Sequence, residues 1–477
     1  MLPLLLALLI AQTPEQPRAG AKAAYNAGVE AERANDLARA QAAYEQAIEL
    51  DPKLAIAHDR LGFVLGRLGN TAEALARFER ATVLAPTLFD AHYHLGATRW
   101  WTKDLDGARK ALETAVRLQP SHAEAQYYLG LTLKQQGHLT NAIAHLRASA
   151  RLMPTLVPAR LQLGVALQTA GDLDGAIEHL TAAAKLAPAS DDVLNSLGLA
   201  RMQSGDGEGA VTAFRTILSR DPRNSTARLN LGTVMMQSGD LASAVTVFKE
   251  AIALGLATAE LHYNLGLALK QQDDFASAED ELRRAADLDS KLPEPLFTLG
   301  VVLWQTGRGD AAIQAFRSAI ARRPEYADAH YMLGTVLRQQ GANTQALDEF
   351  KATVKYHPES PEAHVSLGQL LAQMGEKAAA DRAFAEAERL NALKANAQAS
   401  TFAVGVGLEK MKAADLAGAI EQFREAIRLA PDNPRAHYQL ALALKRKGAS
   451  AEAETHFAAA RRLAPYLDFS RESGEPR

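Results

Sequence analysis

Residues 123–156 read AEAQYYLGLTLKQQGHLTNAIAHLRASARLMPTL, and residues 157–190 read VPARLQLGVALQTAGDLDGAIEHLTAAAKLAPAS. Set one beneath the other, they pair Leu129 with Leu163, Gly130 with Gly164, Gly137 with Gly171, Ala142 with Ala176 and Leu146 with Leu180. The same register runs outward in both directions. Glycines at 28, 62, 96, 130, 164, 198, 232, 266, 300, 334 and 368 recur every 34 residues. Self-similarity at a fixed period of this length marks a helical repeat array, in which each unit leans only on its neighbours.

With that glycine as position 8, the first unit begins at residue 21. Position 7 is mostly Leu, as at Leu61, Leu95, Leu129 and Leu163. Position 20 is Ala in every unit, from Ala40 and Ala74 to Ala346 and Ala380. Position 24 is bulky: Tyr44, Phe78, Leu112, Leu146, Leu180, Phe214, Phe248, Leu282, Phe316, Phe350 and Phe384. Position 32 is Pro at Pro52, Pro86, Pro120, Pro154, Pro188, Pro222, Pro324 and Pro358. A glycine inside a helix costs roughly 1 kcal/mol relative to Ala. Its recurrence predicts close approach of a paired helix carrying the Ala and bulky columns. Pro at position 32 ends the second helix, and pairs such as Gly69-Asn70, Gly137-His138, Gly171-Asp172 and Gly239-Asp240 turn the chain between helices.

The pattern Leu-Gly, then Ala-x3-Phe, then Pro resembles the tetratricopeptide (TPR) repeat, with His in place of the favoured Trp at position 4 and mostly Leu in place of Tyr at position 11. The resemblance implies an all-α solenoid of about thirteen helix-turn-helix units wound as a right-handed superhelix, with first helices lining a concave groove.

Two units follow a break in phase: Gly407, Ala419, Phe423, Ala426 and Pro431 mark a twelfth, and Ala441, Ala453, Phe457, Ala460 and Pro465 a thirteenth. The resulting organisation is a signal segment at 1–11, a Pro-rich linker at 12–20 and units 1–11 at 21–394. An insertion at 395–399, units 12 and 13 at 400–467 and a tail at 468–477 complete it. No Pro lies between Glu362 and Ala430, so the insertion is expected to lengthen a second helix. It is also the one expected boundary between subarrays.

The chain is 48% hydrophobic, has a net charge of −3 and contains no Cys. Near-neutrality gives no electrostatic drive toward nucleic acid, and lack of Cys excludes thiolate metal sites and disulfides. Leu2 to Ala11 is too short to span a bilayer. It fits the apolar part of a secretory signal with Ala11 at the cleavage site, which points to an extracytoplasmic protein, with a cytoplasmic one as the alternative. No integral membrane segment is expected in the mature chain.

Catalytic, cofactor and metal sites are not expected. His58, His92, His262, His330, His364 and His437 share position 4, but one repeat of separation is too far for two of them to hold one zinc. No nucleophile-base cluster or phosphate-binding loop is present, and the chain is read as a non-enzyme. The expected binding surface is the first-helix face. Position 13 carries Gln135, Gln203, Gln237, Gln271, Gln305, Gln339 and Gln373, amides suited to an extended peptide backbone. Asn26, Asn230 and Asn264 at position 6 resemble part of the asparagine ladder of some TPR proteins. Other residue types break that ladder.

Tyr93, Tyr127, Tyr263 and Tyr331 at position 5 combine apolar area with a polar tip. Trp100, Trp101 and Trp304 interrupt a polar column at positions 12 and 13 and are expected partner anchors. The carboxylate clamp of chaperone-binding TPR domains needs Lys at position 5 and Asn at position 9. This sequence has Val29, Phe63, Leu131, Val165 and Leu267 at position 9.

These readings give a scaffold that binds an extended peptide or protein partner along its groove. One alternative is a self-assembling subunit, a homo-oligomer joined through the C-terminal repeat near Phe457 and Leu463. Another is the non-catalytic repeat partner of a glycosyltransferase-type system.

Overall fold

The computed structural model describes residues 15–464, and within them the chain forms twenty-five α-helices and no strand. Segment 1–11, expected to be a signal, and the tail 468–477 lie outside the described residues. Two compact bodies divide between Ala187 and Pro188. The first carries units 1–5 and the second units 6–13. The division therefore falls at a junction that keeps the 34-residue phase, and not at the insertion expected to mark it.

Every unit is an antiparallel helix pair, called here A and B. In unit 2, A is Ala55–Arg67 and B is Thr71–Leu84. The pairing has the cause the sequence indicates. A Cβ placed on Gly62 would lie 2.7 Å from the Phe78 ring and 3.1 Å from the Ala74 carbonyl oxygen. The glycine thus lets the Phe ring lie directly on helix A. The Ala column at position 20 is fully buried in nearly every unit. Side chains interdigitate at crystal-like density in such a contact, so small changes of volume are felt.

Between A and B the residue at position 15 takes a positive φ, as in Gly137 at 79°. The next amide then reaches back to close the helix, His138 N–H donating to Leu133 O at 2.9 Å. Four units place a side chain in this left-handed conformation: Asn35, Lys103, Asp273 and Ala414. Ala414 has no polar group to offset the strain of φ 61°. Ala414→Gly is expected to raise stability by about 0.5–1 kcal/mol, the steric relief exceeding the added chain entropy. Urea unfolding of the paired proteins checks this. Helix B is commonly capped by Asp at position 16, as where Asp172 accepts the Gly175 N–H at 2.9 Å.

Two segments depart from expectation. The first helix is Glu15–Arg33, so the segment 12–20 is not a linker throughout. Pro17 falls within the first turn, where a missing N–H costs nothing. The insertion also does more than lengthen one helix. Lys377–Lys412 is a single helix of 36 residues that fuses helix B of unit 11 with helix A of unit 12. Ala392 stands where most other units have Pro, and residues 391–399 are all exposed. The buried core of the second body is interrupted there, one cluster ending at Ala380 and another starting at Ala403.

Candidate functional site

In most units helix A buries positions 3, 7, 8 and 10 or 11 and leaves position 13 toward solvent. The glutamine column lies on this solvent side. Gln135, Gln203, Gln237, Gln271, Gln305, Gln339 and Gln373 are all exposed. Position 5 lies deeper and reaches the following unit. Tyr331 Oη lies 3.3 Å from Ser366 Oγ, and Asn195 Oδ1 accepts from Asn230 Nδ2 at 2.7 Å. Position 5 of one unit is thus tied to position 6 of the next.

That tie corrects part of the expected site. Asn230 spends its amide within the array, and Asn264 donates to the Glu260 carbonyl at 2.8 Å; only Asn26 is exposed without a hydrogen bond of this kind. The asparagines therefore make no ladder for a peptide. Tyr93, Tyr127, Tyr263 and Tyr331 are half-buried. Burial raises the phenol pKa of Tyr93, Tyr127 and Tyr263, as expected when the charged form loses water. They are chiefly packing residues that present an edge to the face.

The tryptophans divide. Trp101 is 68% exposed. Trp100 packs edge-on to Tyr128 of the next unit at 5.6 Å between centroids, and its Nε1 is buried. Trp304 donates its Nε1–H to Gln339 Oε1 of the next unit at 2.9 Å. Trp100 and Trp304 thus join repeats, and Trp101, edge-on to Trp100 at 5.1 Å, is the most exposed of the three.

The histidine column has a use that the sequence did not suggest. The ring Nε2 of His58, His92, His330, His364 and His437 lies 2.8–3.1 Å from the carbonyl oxygen of the residue six earlier, the position-32 Pro of the preceding unit. A proline ends helix B and exposes its carbonyl, and an N–H from the next helix A satisfies it. Gln126, Arg160 and Arg228 do the same at this position. His330 also holds Glu349 at 2.6 Å, which raises its pKa. Among the described residues no three His, Asp or Glu side chains come together as a metal site. No described helix is long and apolar enough to cross a membrane.

One feature of the face was missed in the sequence. Between units 2 and 3 a cavity of about 400 Å³ opens, lined by Phe63, Arg67, Phe78, Tyr93, His94 and Trp101 among others. Gly66 also lines it, at position 12, where no other unit has glycine. A Cβ there would meet nothing nearer than Ala74 Cβ at 3.9 Å, so neither packing nor a positive φ requires the residue. Beneath the cavity Asp59 is wholly buried at position 5, where several units carry Tyr. Its Oδ1 accepts from His94 Nδ1 at 2.8 Å, and its Oδ2 has no partner. The signal was legible in principle: a lone Gly in one column and a lone Asp in another, seven residues apart.

Comparison with known proteins agrees with this architecture. The tetratricopeptide repeat pattern matches residues 102–156, 161–225, 195–255, 229–293, 297–353 and 343–397. Related TPR patterns match 21–54, 55–80 and 407–448. No curated protein matches the chain. Among solved structures, YrrB, described as a TPR protein with an unusual peptide-binding site, is 23% identical over 39% of this chain and 95% of its own, with a TM-score of 0.37. MamA is 29% identical over 34% of this chain and 95% of its own, with a TM-score of 0.32. A tetratricopeptide repeat protein from Parabacteroides merdae ATCC 43184 is 15% identical over 52% of this chain and 98% of its own, with a TM-score of 0.45. With most of its length matched by one repeat pattern and every unit folded as an antiparallel helix pair, the chain belongs to the tetratricopeptide repeat family.

Proposed function

We propose that this protein is a non-catalytic scaffold that holds an extended segment of a partner protein against its A-helix face. The observation that carries this reading is the glutamine column, exposed in seven units at one position of helix A. An amide both donates and accepts, so a row of them pairs with a peptide backbone whatever its side chains. Repetition along each body suits a ligand that is itself repetitive, and an extended backbone is the simplest such ligand. The half-buried tyrosine edges beside the column supply apolar contact at little entropic cost.

The test uses random peptides displayed on phage and panned against the full chain. Gln237→Ala, Gln271→Ala and Gln305→Ala combined should weaken the selected peptides about tenfold, roughly one net hydrogen bond or more lost. All three residues are exposed, so the unfolding profile should not move. Unchanged affinity in the triple variant would remove the glutamine column from recognition.

A further inference from the structure

We infer that the cavity between units 2 and 3 is a receptor for a tyrosine side chain of the bound polypeptide. This rests on the reading of the A-helix face given above and names what one point of that face selects. Three observations lead there, the first being the space itself. Gly66, in the last turn of its helix, keeps the cavity open, although glycine is a poorer helix former than any residue but proline. No backbone contact or conformation calls for it, since an added Cβ would touch Ala74 Cβ at an ordinary 3.9 Å. Any longer side chain at position 12 would grow from the cavity lining.

The second observation is the wall. Phe63, Phe78, Tyr93 and Trp101 line the cavity, and Trp101 is the most exposed tryptophan of this face. Flat rings meeting edge to face are the favoured partners of such a wall, so the occupant carries a ring.

The third is the polar group set among those rings. The His94 ring lies 5.4 Å from Phe63 and 5.5 Å from Phe78. Its Nδ1 is held by the buried Asp59 carboxylate, whose second oxygen is unpartnered and cannot be reached by water. Asp59 accepts only, so Nδ1 carries the proton and the ring is fixed in orientation. The remaining nitrogen, Nε2, makes no hydrogen bond among the described residues. It is an acceptor in the neutral ring and a donor in the imidazolium. A carboxylate would satisfy only the second form, and an ammonium or indole N–H only the first. A phenolic hydroxyl donates and accepts through one atom, so a tyrosine joins a flat ring to a group that suits both forms. Asp59 is thus a positioning residue for His94.

The experiment has two arms. Random peptides on phage are panned against the unaltered chain and against Gly66→Met, a side chain that units 6 and 7 carry at the same position as Met202 and Met236. Blocked heptapeptides that differ only in a central Tyr, Phe, Ala or phosphotyrosine are then titrated into chain labelled with fluorotryptophan and read by fluorine NMR. Tyrosine should be enriched in the selected peptides. The Tyr heptapeptide should shift the Trp101 signal and bind about tenfold tighter than Phe and about a hundredfold tighter than Ala. Gly66→Met should abolish that ranking without lowering the thermal midpoint. If its midpoint does fall, the ranking on the unaltered chain decides.

Equal binding of the Tyr and Ala peptides, a preference for phosphotyrosine, or an unchanged ranking in a well-folded Gly66→Met would overturn the pocket. Selected peptides with no tyrosine bias would overturn it too and leave the broader face reading intact. Failure to select any peptide would remove both.

Discussion

Phe350→Ala is expected to lower stability by about 3–5 kcal/mol, and Phe384→Ala, the same substitution one repeat later, by only about 1–2 kcal/mol. The two residues occupy position 24 of units 10 and 11. Phe350 is completely buried, its ring 5.8 Å from Tyr331 and overlain by the Arg338 guanidinium at 5.7 Å. Removing it leaves a cavity that rigid neighbours cannot fill. Phe384 packs on Gly368 in the usual way, yet it is 37% exposed. The cause is the helix Lys377–Lys412. In other units the chain breaks at position 32, and the next helix A folds back over the end of the pair. Here it runs straight on and carries unit 12 away, so unit 11 ends a stack. Urea unfolding gives the magnitudes. Hydrogen exchange localises them, because loss in a solenoid spreads only to neighbouring units. Equal costs for the two substitutions would mean that the end of unit 11 is covered after all.

Most of this was legible in the sequence, for a physical reason. The helix pair is specified by short-range contacts within 34 residues, so columns of Gly, Ala and Phe record it directly. Gly62, Ala74 and Phe78 meet as their columns imply. The fused helix was half legible. A missing proline told that helix B would continue, but its union with helix A of unit 12 depends on what the five added residues do to the turn. A further clue lies at position 28, apolar at Ile48, Val116, Ile252, Ile320 and Val354 but Glu388 in unit 11. That charge sits on the end left open.

The binding face was less legible because exposure and packing look alike in a column. Trp100 and Trp101 are adjacent in sequence, but one clamps the next unit and the other faces water. The choice is made by Tyr128, more than half a repeat further on. The role of the histidines was not legible because their partner, a backbone carbonyl, has no signature in a sequence. Asp59 and Gly66 went unread because each departs from its column singly, and a departure gains meaning only when His94 and Phe63 are seen beside it.

The sharpest test of that distinction lies within one helix. Ala55–Arg67 holds two glycines one turn apart, and the same kind of substitution should act on them with opposite sign. Gly62→Val is expected to destabilise by about 3 kcal/mol. Its Cβ would enter the Phe78 ring at 2.7 Å, and Phe78 has no room to retreat at 2% exposure. The Ala74 carbonyl at 3.1 Å closes the other direction. Either the ring leaves its rotamer or helices A and B separate, and both lose burial. Gly66→Ala should instead stabilise by about 0.5–1 kcal/mol, the ordinary helix preference of Ala over Gly, because its methyl enters open space. Thermal and urea unfolding of the two single variants decide the matter. A stabilised Gly66→Ala shows that the array forgoes stability at that position, and a residue kept at such a cost in one unit alone answers to something other than the fold. A destabilised Gly66→Ala would show that the space beside it is filled in solution, and would return Gly66 to the packing role of its neighbour.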